Sequence, residues 1–363
     1  MDPKRELTSV DLAALVTELN RYEGAKVDKA YLYGDDLLRF RMRDFDRGRV
    51  ELILEVGDVK RAHTADPEHV PDAPGRPPNF AMMLRNRLSG ADFVGVEQFE
   101  FDRILVFEFA RGDENTRLVV ELFGQGNVAV LDETGEVVQS LETVRLKSRT
   151  VAPGSQYEFP ASRLNPLTVG YETLEQRMDD SDTDVVRTLA TQLNLGGLYA
   201  EELCTRAGVE KTMSIEDAGD EQYRAIHDAI EELRTRLRSG DFDPRVYTDD
   251  EAVVDVTPFP LEEREREGLD SEGYDNFNDA LDEYFYRLDL EDDDPEEMGQ
   301  QRPDFEAEIE KKKRIIDQQE GAIENFEEQA EAERRRAELL YANYDLVDEV
   351  LSTVQEARGN DVS

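Results

Sequence analysis

The sequence predicts an α+β fold, in which a mixed N-terminal domain is followed by a helical helix-turn-helix module and one long coiled-coil helix. Helical and strand-like patterns alternate up to about Pro160, two apolar runs meet at Gly196-Gly197, and apolar residues recur at every seventh position after Asp304. A spacing of three to four residues indicates a helix, alternation indicates a half-buried strand, and a sustained repeat of seven indicates a coiled coil.

The N-terminal domain is predicted to cover residues 1–170. Thr8 or Ser9 is a suitable N-cap for a first helix that runs to about Tyr22, because a hydroxyl side chain accepts hydrogen bonds from the free amides at a helix start. The apolar stripe of this helix consists of Leu12, Leu15, Val16 and Leu19.

Strand-like segments fill most of the rest of this domain. They lie at 26–33, 37–41, 49–56, 94–100, 103–109, 117–123 and 128–131. Between the third and the fourth of them we expect a loop rich in Pro and Asp at 65–78 and a short helix that Asn79 opens and Gly90 ends. Two further strand-like runs within 244–260 are candidates to add back to this domain.

The helical module is predicted at 181–240, and Gly196-Gly197 is its most informative feature. Tandem glycines supply positive φ values and let the backbone approach a neighbour closely, so the pair predicts a tight joint between two helices. The bare amides of a helix that starts here are also a suitable seat for a phosphate. A purely structural corner between two helices is the alternative on the turn alone.

Residues 261–302 are predicted to form an acidic linker with a short helix, and 303–358 the first arm of a coiled coil. The seven-residue seam is Ile309, Ile316, Ile323, Ala330, Ala337, Tyr344 and Leu351. An apolar seam of this length needs a partner. We therefore expect that the returning arm and a C-terminal domain are absent from this chain, and that it self-associates through the arm.

Acidic residues outnumber basic ones by 85 to 43, which gives a formal net charge of −42. Only nine of the basic residues are lysine. This composition is typical of halophiles, which use acidic surface charge for solubility, so a haloarchaeal source is expected. In molar salt the Debye length is about 3 Å, and the global charge therefore neither excludes nor supports an RNA partner.

Several chemical classes find no support in the sequence. Cys204 is the single cysteine, so a disulfide framework and a cysteine zinc site are excluded and a core position is expected for it. The three histidines lack metal-ligand spacing and are expected at the surface, and no phosphate-binding glycine loop or nucleophile elbow occurs. Without an apolar signal or a membrane-length segment, we expect a cytoplasmic protein that has no cofactor and does not bind membranes.

Several segments carry a resemblance to a known family. They read FAMMLRNRLSGA at 80–91, FDRILVFEF at 101–109, LVVELFGQGNVAVLD at 118–132, QLNLGGLYAEELCTRAGVEK at 192–211 and RRRAELLYANYDLVDEVLSTVQEAR at 334–358. In this order they are similar to the NFACT family of ribosome quality-control proteins, which includes bacterial RqcH and eukaryotic NEMF.

The resemblance implies a binding protein rather than an enzyme. Family members recognise large ribosomal subunits that are blocked by peptidyl-tRNA, and they recruit tRNA so that a tail, alanine-rich in bacterial relatives, is added to the stalled chain. The partners it implies here are the large subunit with its rRNA, the stalled peptidyl-tRNA complex and a tRNA, with alanine tRNA expected. The peptidyl transfer chemistry would remain with the ribosome.

The family motif ties the pair Asp102-Arg103 to tRNA engagement. Arginine offers a planar fork to a phosphate, and an adjacent carboxylate can orient it. An ordinary exposed ion pair at the start of a strand is the alternative. The resemblance also places Glu121 near the tRNA or subunit contact region, whereas a lone carboxylate in an apolar strand is more often an outward-facing residue.

Further basic residues and the glycine pair complete the candidate RNA-binding set. Arg85 and Arg87 lie on the polar face of the short helix, where they either contact phosphates or are simply solvated. Arg206 and Lys211 lie near Gly196-Gly197 in the sequence and are expected to help those amides hold an RNA phosphate.

Two other function classes stay open. A mixed domain followed by a helical module also resembles the formamidopyrimidine-DNA glycosylase scaffold, whose enzymes use an N-terminal proline amine and a cysteine zinc finger. In this chain the nitrogen of Pro3 lies within an amide and Cys204 is alone, so such a protein would bind nucleic acid without catalysis. A coiled-coil adaptor without an RNA role is the other alternative.

Overall fold

The computed structural model describes residues 1–146, 149–161, 163–292 and the pair Arg334–Arg335. Met1–Glu291 form one compact unit, which contains both the predicted N-terminal domain and the predicted helical module. The predicted arm at 303–358 lies outside the described residues, apart from that arginine pair. Within the described part of the chain, every helix is too short or too polar to cross a lipid bilayer.

A nine-stranded sheet organises the α/β part of this unit, and all its neighbouring strands run antiparallel. Its strands are β1 (Lys26–Tyr33), β2 (Leu37–Asp44), β3 (Gly48–Val56), β4 (Lys60–Ala65), β5 (Asp92–Gln98), β6 (Ile104–Arg111), β7 (Glu114–Glu121), β8 (Asn127–Leu131) and β9 (Val137–Ser140). The order across the sheet is β4-β3-β2-β1-β5-β6-β7-β8-β9. Two meanders therefore meet where β1 lies beside β5, and the alternating segments predicted from the sequence all form strands.

The helices lie before, between and after the strands. They are α1 (Ser9–Leu19), α2 (Asn79–Leu88), α3 (Tyr171–Asp179), α4 (Val185–Gln192), α5 (Gly196–Ala207), α6 (Asp220–Ser239), α7 (Glu262–Arg266) and α8 (Phe277–Asp292). Thr8 caps α1 as predicted: its hydroxyl oxygen accepts from the Asp11 amide at 3.2 Å, and the Asp11 carboxylate accepts from the Thr8 amide at 2.7 Å. This reciprocal pair satisfies two amides that the helix leaves free.

Short strands form two smaller sheets. They are β10 (Val144–Leu146) and β11 (Arg149–Val151) in one sheet, and β12 (Arg245–Asp249), β13 (Ala252–Thr257) and β14 (Asp270–Gly273) in the other. The strands predicted at 244–260 therefore pair with each other and with β14 instead of extending the large sheet. β13 still contacts the N-terminal segment, because the Lys4 amide donates to the Val254 carbonyl at 2.8 Å.

Residues 261–302 were expected to form an acidic linker with a short helix, and the described part of this range contains more ordered structure than that. Residues 262–292 form α7, β14 and α8, and α8 buries an apolar face that includes Phe277, Leu281 and Phe285. The remainder of that range lies outside the described residues. Composition misled here, because the acidic residues of α8 alternate with an apolar stripe at helical spacing.

One continuous apolar core joins the sheet, α1, α2 and the helices α3–α6 and α8. Cys204 belongs to this core, as predicted, and burial raises the pKa of its thiol to about 12. The expectation of surface histidines fails for His63, which is 3 % exposed and stacks on Phe285 with ring centroids 5.7 Å apart. Burial lowers the pKa of His63 to about 3, so its imidazole is neutral under ordinary conditions.

A buried ammonium group ties the N-terminal segment to three elements of the unit. The Nζ of Lys4 lies 2.8 Å from Asp11 on α1 and 3.1 Å from Asp255 on β13, and it donates to the Val256 carbonyl at 2.7 Å. The hydroxyl of Tyr199 on α5 donates to the other oxygen of Asp11 at 3.1 Å. Burial alone would lower the pKa of Lys4, but the two carboxylates outweigh it and raise that pKa.

Two buried carboxylates also cap the N-termini of helices that lie far from them in the sequence. Glu18 on α1 accepts hydrogen bonds from the first two amides of α8 at 2.9 and 2.7 Å. Glu202 on α5 accepts from the first two amides of α7 at 3.1 and 3.0 Å. Negative charge at a helix N-terminus is favourable because the amides there are free and the helix dipole is positive at that end. The two helices are therefore fixed to the unit by their first turns.

Replacing Lys4 with methionine should lower the free energy of unfolding by about 3–5 kcal/mol, because the buried Asp11 would lose its ion-pair partner and Asp255 would keep only Arg264. The matched control is Lys26→Met, which removes an ion pair to Asp92 whose side chains are 62 % and 49 % exposed. That control should cost no more than about 1 kcal/mol. Urea unfolding of both variants at one fixed salt concentration makes the comparison. Equal losses in the two variants would contradict the role given to Lys4.

Candidate nucleic-acid interface

The candidate site is built around the loop that joins β5 to β6, residues 99–103. Glu100 and Phe101 have φ values of 45° and 58°, which side chains other than glycine rarely adopt. The buried ring of Phe101 and a hydrogen bond from the Asp102 amide to the Phe99 carbonyl, at 2.7 Å, hold this conformation. Such stored strain persists only where the surroundings determine it, and it is concentrated at functional sites.

The Asp102 side chain ties this loop to the turn between α4 and α5. Its Oδ1 accepts from the Arg103 amide at 2.7 Å and from the side-chain amide of Asn194 at 2.9 Å. The same Asn194 nitrogen donates to the Phe101 carbonyl at 3.1 Å. Asn194 has a φ of 58°. The structure therefore brings the Asp102-Arg103 pair next to the joint that contains Gly196.

Arg103 is oriented by a different carboxylate from the one the sequence suggested. Its Nη1 pairs with Glu6 at 2.5 Å, and Glu6 also accepts from Lys60 at 2.7 Å. Burial raises the pKa of Glu6, but the hydrogen bonds from Lys60 and Arg103 outweigh it and hold that pKa below its usual range. Asp102 fixes the backbone, whereas Glu6 fixes the guanidinium, which stays 30 % exposed.

The start of α5 leaves its backbone open. Gly196 has a φ of 73°, and the residue before it, Leu195, offers no side-chain cap. The expected close approach to a neighbour is not found: within the described residues, a Cβ at Gly196 or Gly197 would meet nothing within 4 Å outside their own helix and chain neighbours. The first glycine therefore serves the left-handed turn, and among the described residues no side chain caps the first amides of α5. Uncapped amides at this end of a helix favour an anion.

Arg206 and Lys211 do not join this helix start. Arg206 lies ten residues further along α5, which corresponds to roughly 15 Å, and it pairs with Glu202 at 2.6 Å. Lys211 follows the helix end and pairs with Glu201 at 2.9 Å and with Glu263. The expectation that they help the glycine amides hold a phosphate is wrong, because proximity in sequence does not bring the two ends of one helix together.

Arg85 and Arg87 lie on α2 away from the Asp102 loop. Arg85 donates to the Ala30 carbonyl at 2.6 Å, and Arg87 donates to the Thr116 hydroxyl at 2.9 Å. Thr116 pairs with Phe109, which is five residues along β6 from its start and therefore roughly 17 Å away. Both side chains are half-buried, so neither is the freely solvated residue that the alternative described.

Glu121 is neither outward-facing nor free. Its side chain is 7 % exposed, it pairs with Arg149 through both carboxylate oxygens, and it accepts from the Tyr157 hydroxyl at 2.7 Å. The expectation of a half-buried strand fails because a second apolar cluster, including Val119 and Val151, covers the other face of β7. A buried carboxylate then requires a buried partner.

Asn194 and Glu6 were missed in the sequence, and Arg163 is a third addition. The Leu164 amide donates to the Gln192 carbonyl at 3.1 Å, and Phe159 stacks on Phe99 with ring centroids 4.0 Å apart. The exposed Arg163 thus lies on the segment that runs between the Asp102 loop and the end of α4. An asparagine in the turn before a glycine pair is a local signal for a left-handed conformation, whereas the contact between Glu6 and Arg103 leaves no such signal.

Fold and site together define a mixed α/β protein whose candidate site is a polar surface formed by two turns. The chain belongs to the NFACT family, because residues 8–361 match the family described as NFACT N-terminal and middle domains. It is 30 % identical over 364 residues to the archaeal Rqc2 homolog aRqcH of Methanocaldococcus jannaschii, an alignment that covers 98 % of this chain and 53 % of that protein.

More distant proteins are also similar to this chain. The chain is 21 % identical over 384 residues to the human ribosome quality control complex subunit NEMF, across 99 % of this chain and 35 % of that protein. A crystal structure of the fibrinogen binding protein from Staphylococcus aureus superposes with a TM-score of 0.61 at 20 % identity, over 76 % of this chain and 97 % of that one. That likeness shows the fold alone. The chain spans about half the length of the archaeal relative and about a third of the human one.

Two substitutions at Asn194 separate its side-chain contacts from its backbone conformation. Asn194→Gly keeps the left-handed φ but loses the hydrogen bonds to Phe101 and Asp102, and should lower the free energy of unfolding by about 1–2 kcal/mol. Asn194→Ala loses the same bonds and also strains the backbone, for a further cost of about 1 kcal/mol. Denaturant unfolding measures both. Equal stability of the glycine variant and the parent chain would show that Asn194 does not hold the loop.

Proposed function

We propose that this chain is the N-terminal and middle part of a cytoplasmic ribosome quality-control factor. It binds large ribosomal subunits that are obstructed by peptidyl-tRNA and recruits a tRNA, with alanine tRNA expected, for C-terminal tailing of the stalled chain. The family membership supports the general role, since relatives carry ribosome quality-control names. One observation carries the tRNA contact: the bond from Asn194 to Asp102 that joins the Asp102-Arg103 loop to the open start of α5.

The guanidinium of Arg103 is suited to a phosphate. Glu6 takes one of its terminal nitrogens, and the described residues offer no other hydrogen-bond partner to this side chain. Arginine has five N–H donors in a fork that matches phosphate oxygens. A guanidinium that one carboxylate already orients loses less conformational entropy on binding. Arg103 can therefore hold a phosphate with its remaining donors while Glu6 keeps it in place.

The start of α5 supplies a second anion seat beside this arginine. The amides of Gly196 and Gly197 lie at the positive end of a helix dipole, and no side chain of the described residues caps them. An RNA backbone can then bridge the two turns, with one phosphate at Arg103 and another at the helix start. Both contacts are short-range, so they survive the screening that removes the effect of the −42 global charge in high salt.

The proposal leaves the chemistry to the ribosome. Phosphate contacts position an RNA without reading its sequence, so the surface described here explains tRNA capture and not the choice of tRNA. Identity would then come from contacts elsewhere in the complex. The large subunit is expected to bind through other surfaces, because the two turns offer room for only a short stretch of backbone.

Replacing Asp102 and Arg103 together by alanine should abolish tRNA retention, because both the loop anchor and the guanidinium are removed. The intact protein is purified from its own host, and the bound tRNA, the bound large-subunit rRNA and the unfolding temperature are measured on one preparation. We expect the tRNA to be lost while rRNA persists at least in part.

Two further variants are measured in the same experiment. Arg103→Lys keeps the charge but loses the fork, so its tRNA retention should be intermediate. Arg111→Ala, at the far end of β6 and 41 % exposed at its side chain, is the matched control and should retain tRNA. Unchanged tRNA in the double variant, or a loss that tracks a collapse of the unfolding temperature, would return Asp102-Arg103 to a structural role.

A further inference from the structure

The tip of the β2–β3 hairpin presents an aromatic ring to solvent. Phe45 is 99 % exposed, the highest value among the exposed large apolar side chains of the described residues. The tip is firmly built: Asp44 pairs with Gly48, whose φ is 76°, and the Asp44 carboxylate accepts from the amides of Asp46 and Arg47 at 3.0 and 2.7 Å. An aspartate that caps its own turn fixes the loop. Phe45 therefore projects from a defined position.

Three basic residues form a row across the strands beside this tip. Lys26 on β1 pairs in register with Arg43 on β2, and Arg43 pairs with Arg49 on β3. All three side chains are exposed. Directly opposed like charges repel one another in a sheet, so each cation of this row that has no carboxylate partner would gain from a bound anion. It stands out in a chain that has 85 acidic and 43 basic residues.

Arg43, the central member of the row, has no counter-charge among the described residues. Lys26 pairs with Asp92 at 2.6 Å, and Arg49 pairs with Glu51, a carboxylate that it shares with Arg39. For Arg43, by contrast, the described residues contain neither an ion pair nor a hydrogen bond to its side chain. An unpaired cation that has another cation on each side attracts an external anion more strongly than a paired cation does.

An exposed ring beside an unpaired arginine fits RNA that has an unpaired base. Aromatic side chains stack on splayed bases, and nearby basic residues hold the adjoining phosphates. An acidic peptide would satisfy Arg43 but would give the ring of Phe45 no stacking partner. The two features together therefore favour RNA over an acidic protein segment.

We propose that the β2–β3 hairpin tip is a second RNA contact, in which Phe45 stacks on an unpaired base and Arg43 binds a neighbouring phosphate. This inference rests on the proposed RNA-binding function but uses a surface separate from the Asp102 loop. The row adjoins Asp92 at one end of β5 and the Asp102 loop follows its other end, so the two contacts are roughly 20 Å apart. One folded RNA can reach both.

The test measures binding of two fluorescein-labelled RNAs to the chain by anisotropy, at a salt concentration that keeps it folded. One probe is a stem-loop with an unpaired loop, and the other is a blunt duplex of equal length. Phe45→Ala should weaken binding of the stem-loop by about 5- to 100-fold and leave binding of the duplex unchanged. Phe45→Tyr should retain stem-loop binding. Arg43→Ala should weaken both probes and reduce the slope of log K against log salt by roughly 0.7–0.9.

Matched variants come from exposed positions on other elements. Leu290→Ala on α8 removes a 54 % exposed apolar side chain, and Arg224→Ala on α6 removes a 62 % exposed arginine. Neither should change the binding of either RNA. All four alanine substitutions lie at the surface, so unfolding temperatures close to that of the parent chain are expected and are measured with each preparation.

Three outcomes would overturn the assignment. If Phe45→Ala and Arg43→Ala bind both probes as tightly as the parent chain does, the hairpin tip is not an RNA contact, while the proposed contact at the Asp102 loop still stands. If the parent chain binds labelled poly-glutamate tightly and both substitutions abolish this binding, the tip is a contact for acidic protein and not for RNA. Failure of the parent chain to bind either RNA would refute the RNA role as a whole, the hairpin included.

Discussion

The buried ammonium of Lys4, held between Asp11 and Asp255, is the interaction on which the rest of the unit depends. It fixes the N-terminal segment against α1 and β13, and through Asp11 and Tyr199 it reaches α5. A charge with so little solvent is tolerated only with full pairing. The sheet and the helical part therefore share one anchor, which explains why residues far apart in sequence form a single compact unit.

The candidate site inherits its geometry from that anchor. Two residues after Lys4, Glu6 lies in a segment whose backbone bonds to β4, with the Lys60 amide donating to the Arg5 carbonyl at 2.7 Å. From there Glu6 orients Arg103. The other side of the site is set by Tyr199, three residues after Gly196 on the helix that carries the open amides. The same few N-terminal residues thus place both the arginine and the helix start, and each of the two strained turns is held by contacts to the other.

Local pattern was enough to predict most of the fold. The alternating runs became strands, and the helix after Thr8 began at its cap, because burial of one face dictates those periods. β4 was missed because KRAHTA lacks apolar alternation: its polar side chains are buried and bind to α8 and to the N-terminal segment. The acidic α8 was hidden by composition for a similar reason.

The site was only half predictable, and the reason is again distance in sequence. Asp102-Arg103 and Gly196-Gly197 could be singled out from local residues and family resemblance. No local pattern, however, predicts that the side chain of Asn194 binds Asp102 and so joins the two turns. Conversely, Arg206 and Lys211 looked adjacent to the glycines and lie at the other end of a helix. Glu121 looked like a solvent-facing residue, yet Arg149 and Tyr157 bury it. A partner supplied by a distant segment decides the cases of Asp102 and Glu121, whereas the length of α5 decides that of Arg206 and Lys211.

The central claim is that the Asp102 loop and the α4–α5 turn form one RNA-binding surface. Hydrogen exchange of backbone amides, followed with and without saturating tRNA, tests it most directly. The account predicts that the amides of residues 99–103 and 194–197 slow together when tRNA is added, while those of α2 keep their rates. Slowing in only one of the two turns, or in neither, would contradict it.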